Sequence, residues 1–415
     1  MRVAIAVEGT RGDVHPMLGL GQRLAARGHE VVLCATPDFR DVVEAQGFEF
    51  RPVGRSVRSF LTEKASAMTG SRLAIVREST RYMNDALERQ FEALPTATEG
   101  ADLVIGAGVQ GGAPSAAEMH GVPYRYVVYC PAFLPSREHA PFLFPVQRFP
   151  RWTWRALWWV VDRAQEILMR RDLNQLRSQM GLAPVPHAFT HLVSERPVLA
   201  ADRSLAPPPG DLPIEVEQSL CLHPPDETPV PPKLEAFLES GPPPVYIGFG
   251  SMTDPDPNET TRKIVDAVGR LGCRAILSEG WAGLGQVALP DGIHVTGPVS
   301  HPQLFPRCAA VVHHGGAGTT TTAARAGTPQ IIVPHVMDQF YWADRVRLLG
   351  LGPADLPRRN LDVQGLVGLL GATLGNEILA ERAQDFGARL REEAQAAPDP
   401  AEYFEAVVTG YPRLA

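Results

Sequence analysis

The chain has 415 residues, 44% hydrophobic and 20% charged, a globular composition with length enough for two ordinary domains. Its net charge of −7 supplies no basic face, so a nucleic-acid partner is not expected. Five scattered cysteines, Cys34, Cys130, Cys221, Cys273 and Cys308, show no CxxC spacing, which argues against a disulfide framework or zinc site and fits a reducing cytoplasm.

Met1 leads straight into the apolar run Arg2 to Val7. That run is too short for the apolar core of a signal peptide and reads as a buried parallel strand. No apolar run reaches the ~18 residues of a membrane helix, so no stable membrane insertion is expected. Gly9-Thr10-Arg11-Gly12-Asp13-Val14-His15-Pro16 follows at the carboxyl edge of that strand, where open α/β sheets bind ligands. Two roles fit Asp13: capping a helix, or taking a proton from an alcohol within hydrogen-bond reach. His15 is a second possible base, although a structural role suits it better.

A helix is expected over 18–26, closed by Arg27-Gly28-His29, and a strand over 30–35. Strand 103–105, helix 113–120 and strand 124–129 come later, and this alternation predicts a parallel, doubly wound sheet. Gly106-Ala107-Gly108-Val109-Gln110-Gly111 matches the dinucleotide pattern GxGxxG. The next strand ends in Cys130-Pro131, however, and not in the acid that holds a ribose, so a close-packed, cleft-lining turn is expected in place of an NAD site. Trp152, Trp154, Trp158 and Trp159 stand among Arg148, Arg151 and Arg155. They predict an amphipathic helix lining a pocket or packing on the core, with an interfacial helix as the competing reading.

Prolines accumulate from 207 to 244, in Pro207-Pro208-Pro209, Pro224-Pro225, Pro231-Pro232 and Pro242-Pro243-Pro244. Proline lacks a donor and fixes φ, so this stretch is expected to link two domains. The α/β pattern then restarts with strand 245–249, the turn Gly250-Ser251-Met252, helix 258–271 and strands 274–278, 293–295 and 309–313.

Val311-Val312-His313-His314-Gly315-Gly316-Ala317-Gly318-Thr319-Thr320 is the most informative stretch. An apolar strand ends in histidines, glycines and hydroxyls, and a helix over 321–326 follows. Backbone N–H groups at a helix N-terminus point outward, and glycine lets a phosphate come close. A further strand, 330–333, leads to Asp338-Gln339, which can bind hydroxyls. Phosphates beside a hydroxyl reader suggest a nucleotide-sugar. His301, His313, His314, His335 and Cys308 make a poor chelate, because adjacent strand histidines point to opposite faces, so no metal is expected.

These motifs carry a resemblance. The opening GTRGDVHP loop, Asn174-Gln175-Leu176-Arg177 to Gly181-Leu182, IGFGSM, the block Leu304 to Thr320, and Ala326-Gly327-Thr328-Pro329-Gln330 through Asp338-Gln339 resemble family 1 glycosyltransferases. The resemblance is to the branch of bacterial natural-product and sterol glycosyltransferases, and it covers most of the chain. It implies a GT-B architecture: two Rossmann-like, doubly wound domains facing across a cleft. The boundaries expected on this basis are 1–206 for the acceptor domain, 207–244 for the linker, 245–395 for the donor domain, and 396–415 for a segment packing back on the first domain.

The resemblance also implies roles. His314, Gly316, Gly318 and Thr319 would hold the diphosphate, helped by Ser251, with Thr10, Arg11 and Gly12 reaching over from the facing loop. Val299 would pack the base, and Asp338 and Gln339 would bind sugar hydroxyls. Asp13 falls where many members carry a catalytic histidine and would itself be the base. A carboxyl near the ordinary ~3.9 is a weak base toward an alcohol, so burial in the cleft, an acidic acceptor hydroxyl or late proton transfer would be required. Phe133, Phe142 and Trp152, with Gln110 and His139, are expected to meet an apolar acceptor such as a polyketide, macrolide, aromatic aglycone or sterol.

The expected activity is inverting, metal-independent hexosyl transfer from UDP-glucose or a dTDP-deoxysugar by a monomer or homodimer without a bound cofactor. Two other readings remain at this stage: a nucleotide-sugar epimerase of the same fold, and a non-catalytic auxiliary protein.

Overall fold

The computed structural model describes residues 1–56, 59, 72–224 and 226–410. Two parallel sheets organise it. The first contains β1 (Arg2–Glu8), β2 (Glu30–Ala35), β3 (Glu49–Pro52), β4 (Leu103–Gly108), β5 (Tyr124–Val128), β6 (Val198–Ala200) and β7 (Glu217–Ser219), in the order β3-β2-β1-β4-β5-β6-β7. The second contains β8 (Val245–Gly248), β9 (Ala275–Ser278), β10 (Ile293–Thr296), β11 (Ala310–His313) and β12 (Gln330–Ile332), in the order β10-β9-β8-β11-β12. Every pairing is parallel, as right-handed strand–helix–strand crossovers require. Strand order reverses between β1 and β4 in one sheet and between β8 and β11 in the other. These reversals open the crevices in which doubly wound sheets bind ligands.

The central strands are apolar throughout because helices cover both faces: Val3, Ala4, Ile5, Ala6 and Val7 are fully buried, as are Ile247, Val311 and Val312. Each domain has its own core, and a further cluster crosses between them, joining Val128, Cys130 and Leu134 to Ile332, Trp342 and Val346. The two halves therefore meet through packed apolar surface.

Three expectations differ from the structure. The first helix spans Arg11–Ala26 and does not wait until residue 18, because Thr10 and Asp13 form a capping box that starts it ahead of Pro16. The proline-rich stretch 207–244 contains two packed elements. β7 extends the first sheet, and helix Pro232–Glu239 buries Leu234 and Leu238 against the second domain. Proline at the start of that helix loses no hydrogen bond, so proline content alone did not mark the stretch as unstructured. The chain passes between the sheets over 220–231, of which Pro225 lies outside the described residues. Third, the tryptophans divide: in helix Arg151–Gln179, Trp154 and Trp158 are buried, whereas Trp152 and Trp159 are exposed.

At the far end, helix Pro400–Thr409 lies on helix Arg11–Ala26 and buries Ala401 and Phe404 in the first domain's core. Glu405 anchors it, accepting from Arg27 at 2.7 Å and contacting His29 Nε2 at 2.6 Å. Residues 411–415 lie outside the described residues.

Candidate active site

On the first domain's side, Asp13 sits at the reversal point, beyond the ends of β1 and β4. Its Oδ2 accepts from the Thr10 backbone N–H at 2.8 Å and from the Thr10 hydroxyl at 3.4 Å. Thr10 Oγ1 in turn accepts from Gly12 N at 3.3 Å, so Thr10 is a capping residue first. Both Thr10 bonds fall on Oδ2, and Oδ1 accepts none from another residue among the described ones. Gly9 is needed here, at φ +158, because a Cβ would run into the Asp13 carboxyl. Gly108, at φ +68, lets β4 end against the Glu8 carbonyl and the Asp13 Cβ. Burial pushes the Asp13 carboxyl up to about 6, against the opposing effect of the Thr10 hydrogen bonds. The desolvation that a catalytic aspartate requires is thus present.

The capping bonds that start the helix also fix the carboxylate's orientation. His15 is half-buried, and burial with Arg11 and His223 nearby lowers its imidazole to about 4, so it is neutral at pH 7. Arg11 and Gly12 are exposed on the first turn of the helix.

The turn after β4 explains its glycines without a dinucleotide. Gln90 Oε1 accepts from Gly111 N at 2.9 Å and Gly112 N at 3.0 Å, occupying donors that a pyrophosphate would need. A Cβ at Gly106 would run into the Tyr124 hydroxyl, and one at Gly111 into Leu87 at 2.5 Å.

On the second domain's side, helix Ala317–Ala326 starts at Gly316 with no side-chain cap. Its first N–H groups are therefore open to an anion. Thr320 and Thr321 turn their hydroxyls back to the carbonyls of Gly316 and Ala317, both at 2.9 Å. Thr319 makes no such bond, so its hydroxyl remains for a ligand. Gly315 adopts φ +91 where Ile332 and the Gln339 carbonyl leave no room for a Cβ. The His314 ring is wedged between Gly250 and Gly316, and its Nδ1 is buried without a partner. Burial and three neighbouring histidines lower it to about 3, so the ring is neutral at pH 7. His313 is structural: Nδ1 accepts from Gly315 N at 3.1 Å and Nε2 contacts Gln330 Oε1 at 2.9 Å. Ser251 is buried on the facing turn beyond β8. Val299 packs inward against the cluster of Leu234, Tyr246 and Phe305.

Asp338 Oδ2 accepts from Trp342 Nε1 at 3.1 Å. Burial, with a smaller contribution from the charge on Asp13, pushes its carboxyl up to about 7. The two carboxyls are thus linked electrostatically, one from each domain. Gln339 is less available than the sequence suggests. Its Oε1 accepts from His335 N at 2.7 Å and Val336 N at 3.0 Å, clipping the loop that presents Asp338. Only its amide N–H side, facing Met252 Sδ at 3.3 Å, stays outside that clip. Met337 within the loop holds φ +55.

The acceptor residues do not converge as a set. Gln110 is fully buried, and neither carboxamide atom has a partner. Phe133 and Phe142 stack at 4.2 Å beside the interdomain cluster. His139 is buried at the domain interface between Trp158 and Tyr341, and burial lowers it to about 4. Trp152 is 75% exposed on the outer face of its helix and lies apart from the buried residues of this group.

Three site residues escaped the sequence reading. Trp342 orients Asp338 from one helical turn away, a spacing that could have revealed it. Tyr129 donates to the Asp13 carbonyl at 2.7 Å from just beyond β5, on the same sheet edge. His223, on the crossing segment, lies so close to Gly318 that a Cβ there would run into Nε2. Nothing local in the proline-rich sequence signals it.

The chain matches two family models: the glycosyltransferase family 28 N-terminal domain over residues 3–136, and the erythromycin biosynthesis protein CIII-like C-terminal domain over 262–409. It is 39% identical over 368 residues to vancomycin aglycone glucosyltransferase from Amycolatopsis orientalis, covering 85% of this chain and 86% of that one. A sterol 3-beta-glucosyltransferase from Arabidopsis thaliana is 33% identical, over 92% of this chain and 64% of its own. The crystal structure of glycosyltransferase VinC in complex with dTDP superposes with a TM-score of 0.67 at 22% identity, covering 99% of each chain. With two parallel-sheet domains and these relatives, the chain belongs to the family 1 glycosyltransferases of the GT-B fold, in the natural-product and sterol branch, and is a glycosyltransferase.

Proposed function

We propose that this enzyme transfers a hexose from a nucleoside-diphosphate sugar, UDP-glucose or a dTDP-deoxysugar, to a hydroxyl of an apolar small molecule, with inversion and without a metal ion. The observation that carries this reading is Asp13. A carboxylate at the reversal point of one sheet, lifted to about 6, faces an uncapped helix N-terminus and Asp338 of the other. The acceptor oxygen attacks the anomeric carbon as the bond to the diphosphate oxygen breaks, and the hydroxyl proton passes to Asp13 Oδ1. Charge developing on the diphosphate is stabilised by the N–H groups around Ala317, Gly318 and Thr319 and by neutral His314. Asp338 holds sugar hydroxyls, with Trp342 fixing its orientation. Attack from the first domain's side, opposite the leaving group, gives inversion in one step.

An apolar acceptor is supported by Phe133 and Phe142 at the interface and by the names of the relatives, one acting on the vancomycin aglycone and one on sterols. Gln110, buried with an unpartnered carboxamide, is suited to one acceptor polar group. The epimerase and auxiliary-protein readings give Asp13 no task beyond capping its helix.

Calorimetric titration with UDP, dTDP and NAD in metal-free buffer tests the donor side. Binding of a nucleoside diphosphate and not of NAD is expected. If neither diphosphate binds at millimolar concentration, the site around His314 and Thr319 is not a donor site. The anomeric configuration of the first glycoside made, read by NMR, decides between inversion and retention.

A further inference from the structure

Helix Arg151–Gln179 has two apolar faces, and only one is packed. Trp154, Trp158, Val161 and Leu173 are buried inward. On the opposite side Trp152 is 75% exposed, Trp159 63%, Val160 50% and Ile167 77%. At 100° per residue these positions fall within one arc, so they form a continuous outward stripe. Leu143 and Phe149, in the preceding loop, are 57% and 53% exposed as well. An exposed apolar surface of this extent marks an interaction face.

Its charge is opposite to that of the molecule. Five arginines, Arg151, Arg155, Arg163, Arg170 and Arg171, are exposed along this helix. Arg170 lies 3.8 Å from Glu166, and the other four have no ion pair among the described residues. The acids in the helix are three: Asp162, exposed; Glu166, which is buried and accepts from Ala188 N at 2.8 Å; and Asp172, half-buried, which accepts from Asn84 Nδ2 at 3.2 Å. A chain of net charge −7 thus concentrates positive charge around its tryptophans.

We propose that this face docks on the surface of an anionic lipid bilayer. Tryptophan, isoleucine and leucine would sink to the level of the headgroups, and the flanking arginines would meet lipid phosphates. Because the stripe is the convex side of a single long helix and not a groove, a flat, deformable surface fits it better than a complementary protein pocket. Among the described residues no single helix is long and apolar enough to cross a membrane, so the contact is superficial and reversible. A cavity of about 300 Å³ lies immediately behind Trp159, lined by Trp158, Phe189, Val193 and Ile214. Trp158 in turn touches His139 at the domain interface. An apolar compound dissolved in the lipid would find apolar surface along this path.

Flotation of the full-length protein with phosphatidylcholine vesicles, with and without phosphatidylglycerol, tests the proposal. Binding is expected to vesicles containing phosphatidylglycerol, weakening as salt is raised. Trp159→Glu/Ile167→Glu should lower partitioning at least tenfold, and Arg155→Glu/Arg163→Glu/Arg171→Glu should remove the preference for the anionic lipid. UDP or dTDP binding and circular dichroism verify that both variants are folded. Equal or absent binding to the two vesicle types overturns the proposal, as does a Trp159→Glu/Ile167→Glu variant that partitions like the parent. Concentration-dependent dimerisation abolished by that variant would instead assign the stripe to a second copy of the chain. Binding to an added acidic carrier protein, abolished by that variant and with none to vesicles, would assign it to a protein partner. Neither lipid result depends on the identity of the donor or acceptor, so the proposed transfer reaction stands or falls separately.

Discussion

Asp13→Asn removes the proton acceptor while keeping an oxygen to accept from Thr10 N, so the start of the helix is preserved. Loss of a general base lowers turnover by about 10²–10⁴-fold. The same change should stabilise the fold. A rise in the carboxyl from 3.8 to about 6 corresponds to at most about 3 kcal/mol of cost for holding the charge in the folded cleft. Asp13 is half-buried, and asparagine brings an N–H₂ that needs a partner, so about 1–2 kcal/mol is the expected gain at pH 7. That is several degrees in the unfolding midpoint of a domain this size. The sign follows from linkage. Because the folded-state value lies above the unfolded one, the stability contributed by this carboxyl is full below about 3.8 and is lost as pH rises through about 6. The gain in the variant must therefore shrink when unfolding is measured in acid. In the parent enzyme kcat/KM should climb tenfold per pH unit up to an inflection near 6 and flatten above it. The assays are glycoside formation from a nucleotide-sugar across pH, and calorimetric unfolding of both proteins. Near-parental turnover by Asp13→Asn, or a midpoint that falls at neutral pH, would refute the assignment of a desolvated base.

Other outcomes follow from single contacts. Gln110→Leu replaces two unpartnered buried polar atoms with apolar ones, so a stability gain of about 1–3 kcal/mol is expected together with a rise in acceptor KM; loss of stability would mean that the carboxamide is satisfied internally. Gly318→Ala drives a Cβ into His223 and should weaken diphosphate binding about tenfold, with Gly318→Ala/His223→Ala regaining it in titration calorimetry. Asp202→Ala breaks the pair that fully buried Asp202 makes with Arg325 across the domains, at 2.6 and 2.8 Å, and should cost about 3 kcal/mol in thermal unfolding. Removing Arg325 as well should cost little more. Trp342→Phe takes the indole donor from Asp338; its carboxyl then rises above about 7, and donor KM should increase most at acidic pH.

What the sequence made legible was governed by local physics. Runs such as Val3–Val7 and Val311–Val312 can only be central strands, and glycines after them announce close approach, so both sheets and the donor helix were readable. The three-residue strands β6 and β7 were not, because edge pairing is decided by neighbours that a linear reading cannot see. The same limit applies in the site. His314 and Thr319 follow from a strand–glycine–helix order, and Asp13 from its place after β1. That Gln339 is occupied with its own loop, and that His223 reaches Gly318 from the crossing segment, depends on side chains brought together from distant stretches. Trp152 shows the reverse error, an aromatic that is exposed although Trp154, two residues on, is buried.

The helix Pro400–Thr409 lies on the domain where the chain began, and Ala401 and Phe404 complete a core whose other members come from the first half. During synthesis that core stays open until the whole second domain has emerged. The first domain's last layer is therefore supplied only after the second has had time to form, and the N-terminal half expressed by itself should collapse without its final wall. The chain also passes twice between the domains, over 220–231 and again before Pro400. Two tethers restrict their relative movement more than one would, favouring opening and closing of the cleft over free swivelling.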